Sequence, residues 1–94
     1  MDTDSESLFQ ASTDALLEME ADELDSNSDS LKIDAVFKIT VFGFRDDFQV
    51  RLTDGSSDGV TLLHVSSRSR TGKGDLGVNR RRVKLFLESV RSEL

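Results

Sequence analysis

The chain contains no cysteine, no proline, no tryptophan and no tyrosine, and one histidine among 94 residues. Each absence closes off a class of chemistry. Without cysteine there is no disulfide framework, no thiolate nucleophile and no thiolate metal site. A lone histidine, His64, cannot build the multi-histidine sites of zinc proteins and gives a histidine-based triad little support. No apolar run approaches the ~18–20 residues of a membrane span, and no signal-peptide pattern stands at the front. The expectation is a cytoplasmic protein with no membrane contact and no cofactor. Its length suits a single domain over residues 1–94, with one modest core hiding roughly 60–70% of the unfolded surface.

The net charge of −6 is unevenly laid out. Residues 1–30 hold ten acids and no base, whereas residues 31–94 hold twelve bases against eight acids. Between Ser66 and Lys84 stand seven bases, including Arg80-Arg81-Arg82, against Asp75 alone. Such a split points to an acidic partner or nucleic acid, or to two halves that face each other in the fold or are both simply solvated. Twelve Asp to six Glu and eight Arg to four Lys also fit a salt-loving source.

What is present is clear periodicity. Leu8, Ala11, Ala15, Leu16 and Met19 fall on one face of a helix over 4–20. Thr3 with Glu6 has the form of a capping box. Residues 21–30 are polar; they have room for a short edge strand around Glu23–Asp25, with a turn at Asn27 to Ser30. Leu31, Ile33, Ala35, Phe37, Ile39 and Val41 alternate with mostly polar neighbours, a half-buried strand over about 31–42. Gly43 permits a bend, and Arg45-Asp46-Asp47 reads as a turn. Further strands follow over about 47–53 and 60–69, separated by a loop rich in Asp, Gly and Ser. Val83, Phe86, Leu87, Val90 and Leu94 mark a helix over 76–92, capped by Asp75. No helix lies between strands, so the sheet is expected to be antiparallel. The fold class is therefore α+β: a two-layer sandwich of three to four strands with the N-terminal and C-terminal helices on one face. Lys32, Asp34, Gln49 and Arg51 are expected on the other.

Two segments carry a further signal. Phe42-Gly43-Phe44-Arg45-Asp46-Asp47 resembles a Phe-Gly-Phe-x-Asp-Asp stretch. Ser67, Ser69, Arg70, Gly72, Asp75, Gly77 and Asn79 match a Ser-x-Ser-Arg-x-Gly-x-x-Asp-x-Gly-x-Asn stretch. Both resemble hallmarks of the bacterial and archaeal family catalogued as domain of unknown function 1499, over roughly residues 5–92. Many relatives begin with a cysteine-containing Pro-Asn segment, often behind a membrane or lipoprotein anchor. Neither stands here, so the expectation is the bare family domain. The resemblance implies a fold and a site location but no activity.

The physical content of the second segment is a strand end leading through glycines into a helix start. A helix N-terminus offers unpaired N–H groups and the positive end of the dipole. With Arg70, Lys73 and the hydroxyls of Ser67 and Ser69 beside Gly72, Gly74 and Asn79, such a place can hold a phosphate, sulfate or carboxylate. The competing reading is structural. Asp75 caps the helix and fills the anion position, while Arg68 or Arg70 pairs with Asp46 or Asp47 and Asn79 bonds a loop carbonyl. Arg80-Arg81-Arg82 fan out ~100° apart, so one can reach inward while two stay exposed. Nucleic acid is not expected, because stacking aromatics are missing. Catalysis, a hydrolase-like enzyme using Arg and Asp, has the least support. Asp46 and Asp47 diverge on an extended chain and converge only in a turn, where turn-forming and Arg-pairing are the expected roles, and no nucleophile–base arrangement surrounds His64. The acids at Asp22, Glu23, Asp25 and Asp29 lack the pattern of a calcium loop. The expected function is a non-enzymatic binding or interaction module for an anionic ligand or a protein partner, monomeric or a weak homodimer. A protein partner would use a sheet edge or exposed Phe42 and Phe44.

Overall fold

A computed structural model describes residues 5–39, 44–55, 61–69 and 78–94. Six elements follow one another: α1 (Ser5–Glu18), β1 (Glu23–Asn27), β2 (Lys32–Ile39), β3 (Phe44–Asp54), β4 (Thr61–Ser69) and α2 (Val78–Glu93). The strands form one antiparallel sheet in sequence order, β1-β2-β3-β4. Hairpin connections alone make this order, as expected where no helix separates strands.

Helix α1 buries Leu8, Ala11, Ala15 and Leu16 along one stripe. It stops at Glu18, short of residue 20, because the chain turns left-handed there: Glu20 has φ 62°. The Glu20 amide donates to the Leu17 carbonyl at 3.0 Å and the Ala21 amide to the Leu16 carbonyl at 3.2 Å. These are the paired bonds of a Schellman ending, which satisfy carbonyls the helix leaves open. The polar segment that follows does form an edge strand, so the sheet has four strands. In the turn between β1 and β2, Asn27 Oδ1 accepts from the amides of Asp29 and Ser30 at 3.0 and 3.2 Å. Leu31 closes that turn at φ 54° and packs on the core instead of opening the next strand.

The core is a single layer between the sheet and both helices. Ile33, Ala35 and Phe37 of β2 and Phe48, Val50 and Leu52 of β3 meet Leu8, Ala15 and Leu16 of α1 and Phe86 and Val90 of α2. Phe48 stands edge-on to both Phe37 and Phe86, with ring centroids 5.9 and 5.1 Å apart. Each such buried side chain contributes roughly 1.5–3 kcal/mol by leaving water. One cluster fed by both helices puts them on one sheet face, the two-layer α+β arrangement. The other face carries exposed Lys32, Asp34, Gln49, Arg51, His64 and Arg68. There Lys38 Nζ lies 3.5 Å from Glu23 Oε2, an exposed pair of small energetic weight.

One boundary changes the reading of a key segment. Arg45, Asp46 and Asp47 are not a turn: β3 already runs from Phe44, and these residues face Lys38, Phe37 and Val36 of β2. Asp is common in turns, but strand periodicity governs here. Asp46 shares the parity of Phe48, Val50 and Leu52, so the pleat points it toward the core.

Candidate functional site

Rows across an antiparallel sheet set the site. On the core face, Phe37 of β2, Asp46 of β3 and Ser69 of β4 are consecutive register partners. The next row inward pairs Phe48 with Ser67. The parity that makes Leu63 and Val65 line the core therefore brings two serine hydroxyls to its upper margin. The first turns of α2 lie over this margin and supply Asn79 and Arg82.

Asn79 is buried and engages through both ends of its amide. Its Oδ1 accepts from Ser67 Oγ at 2.5 Å, and its Nδ2 donates to Ser69 Oγ at 3.0 Å. Arg82, one turn on, donates from Nη1 to Asp46 Oδ2 at 2.6 Å and to Asn79 Oδ1 at 3.3 Å. Its guanidinium carbon also lies 4.6 Å from the centroid of the Phe37 ring, where the π-face favours a cation. Asp46 is 1% exposed, so Arg82 balances a charge that burial would otherwise penalise severely. Five polar side chains from β3, β4 and α2 thus form one connected network over an apolar floor.

In this network the one carboxylate is buried and paired with Arg82. The mechanical effect of the network is definite. Asn79 ties the C-terminal end of β4 to the first turn of α2, and Arg82 ties α2 to β3. The chain leaves the described structure at Ser69 and returns at Val78, and both ends are held by the same amide.

Of the residues singled out from sequence, Ser67, Ser69, Asn79 and Asp46 come together. Asp47 is on the opposite sheet face, directly across from exposed Arg68. Arg70, Gly72, Lys73, Gly74, Asp75 and Gly77 lie outside the described residues, as do Phe42, Gly43 and the side chain of Phe44. Among the described residues Asp46 is paired with Arg82, Arg68 lies on the opposite sheet face, and Asn79 bonds two serine hydroxyls. Arg82 is the arginine of the triplet that reaches inward, while Arg80 and Arg81 are exposed. Helical spacing carried the signal for it, since Arg82 precedes Phe86 and Val90 by one and two turns on the buried stripe. His64 is exposed, with Nε2 2.9 Å from Thr53 Oγ1. Among the described residues, no three His, Cys, Asp or Glu side chains are grouped to hold a metal ion.

The family described as "Protein of unknown function (DUF1499)" matches residues 1–90. The chain belongs to the DUF1499 family. No curated protein and no solved structure matches it. In this DUF1499 chain Arg82 bonds both Asp46 of the first family-like stretch and Asn79, the last residue of the second. No described helix is long and apolar enough to cross a membrane.

Proposed function

We propose that this DUF1499 chain is a non-enzymatic binding module of the cytoplasm that holds an anion of phosphate or carboxylate type on the glycine-rich segment 70–77. One observation carries the reading. Asn79 bonds Ser67 and Ser69 while Arg82 bonds Asp46, so both ends of that segment are anchored to one rigid frame. Binding energy is then not consumed in ordering the frame, the general advantage of preorganisation. The serine hydroxyls and Asn79 serve as supports. Contact with the anion falls to Arg70, Lys73 and the amides of Gly72 and Gly74, beside the start of α2.

Titration with inorganic phosphate, followed by amide NMR, tests the proposal. Saturable shifts confined to residues 70–79, abolished by the double substitution R70A/K73A, are expected. No shift at millimolar phosphate removes the anion site.

A further inference from the structure

The nine residues of β4 form one edge of the sheet, and among the described residues no strand pairs with its outer side. An unpaired edge offers a row of N–H and C=O groups to any extended chain, and proteins usually blunt it by shortness, charge or proline. The opposite edge is blunted in this way. β1 has five residues and exposes Glu23 and Asp25. Laid antiparallel on a second copy of itself about its middle residue, it would set Asp25 against Asp25.

β4 is blunted by a permanent charge at one position only. Its sequence, TLLHVSSRS, contains no acid and no proline, and Arg68 is its one permanent charge. Leu62 on its outward face is 46% exposed, the one large apolar side chain so exposed on the sheet among the described residues. On the core face, Leu63 and Val65 are only half-buried at the margin of the hydrophobic cluster.

We infer that β4 pairs edge to edge with β4 of a second copy, antiparallel about Val65, joining two four-stranded sheets into one. A two-fold contact of this kind must be self-complementary, and the sequence of β4 is. Leu62 falls opposite Arg68 of the second copy, Leu63 opposite Ser67, His64 opposite Ser66 and Thr61 opposite Ser69. No like charges meet. The aliphatic stem of Arg68 covers Leu62 while its guanidinium stays in water. Leu63 and Val65, which already have β3 on one side, each gain a strand on the other.

Sedimentation velocity on the full chain up to millimolar concentration tests this, together with amide exchange at low and high protein concentration. A monomer–dimer equilibrium is expected, with β4 amides that point away from β3 protected only in the concentrated sample. Leu62→Lys sets a lysine opposite Arg68 twice per dimer and raises the dimer Kd by about tenfold or more. Adding R68E to it restores association. Leu17→Lys, at a position 58% exposed on α1, leaves association unchanged. A chain that stays monomeric at millimolar concentration overturns the inference. So does a dimer indifferent to L62K, or one weakened equally by L17K. If L62K disturbs the fold, the concentration dependence of β4 amide protection in the unsubstituted chain decides by itself.

Discussion

Arg82 Nη1 stands 2.6 Å from Asp46 Oδ2, across a separation of 36 residues, and this bond joins α2 to the third strand of the sheet. The side chains are 14% and 2% exposed, so both partners have given up most of their hydration. A pair in this situation is costly to break from one side, because the survivor is left charged and dry. Asp46→Ala is therefore expected to destabilise the chain by about 3 kcal/mol, the lower end for buried pairs because Arg82 keeps some solvent. The double change D46A/R82M removes both charges and recovers much of that loss. Urea denaturation of the two single variants and the double variant gives the coupling directly; simple additivity would mean that the pair does not act as one.

Asn79 bridges strand and helix through two serine hydroxyls. Truncation to Ala strands Ser67 and Ser69 at the margin of the core and is expected to cost about 1–3 kcal/mol. Faster amide exchange in the first turn of α2, with β1 and β2 unaffected, would localise the loss to this tie.

Ser12 is fully buried on α1, and its hydroxyl has no hydrogen-bond partner among the described residues. The chain loses the hydration of that group without recovering a bond. Ser12→Ala removes the polar atom and improves helix propensity, and it is expected to stabilise by about 1 kcal/mol. A lower Tm for S12A would show that the hydroxyl has a partner after all.

Glu20 holds φ 62° at the end of α1, where a Cβ is sterically unfavourable and glycine is the usual occupant. Glu20→Gly is expected to gain roughly 0.5–1 kcal/mol, even though glycine widens the unfolded ensemble. Thermal unfolding of E20G against E20A separates the backbone effect from loss of the charge, since E20A keeps the Cβ.

Glu93 lies beside Glu18 where the two helices end. A side-chain hydrogen bond with Glu18 chiefly raises its pKa above the ordinary 4.5, and the charges of Glu18 and Asp14 add to the rise. An acid whose pKa is raised by folding lends stability below its unfolded value and loses it as pH climbs through the raised value. The Glu18–Glu93 contact is thus favourable below pH 4.5 and repulsive at neutrality. Glu93→Gln should raise Tm slightly at pH 7 and leave it unchanged at pH 4. The two glutamates are exposed, so added salt should shrink the difference at pH 7.

Much of this fold was legible in the order of residues. A two-residue period in Ile33, Ala35 and Phe37, and in Phe48, Val50 and Leu52, fixes which strand face meets the core. A helical period in Leu8, Ala11 and Ala15, and in Phe86 and Val90, does the same for each helix. With no helix between strands, the antiparallel meander follows. These are local patterns, and a local pattern is complete within a few residues of chain.

The site was legible in part. Asp46 resembled a turn residue because Asp so often is one, although its parity with Phe48 already pointed inward. Among three consecutive arginines, only the spacing to Phe86 marked Arg82. That Arg82 would meet Asp46, and Asn79 would meet Ser67 and Ser69, was decided by tertiary structure alone. The sequence by itself determined the elements, their faces and their order, because propensity and periodicity act between near neighbours. Which charge neutralises which was decided when α2 docked across the ends of β3 and β4. A buried carboxylate takes the cation that packing brings within reach, and packing joins residues that the chain keeps far apart.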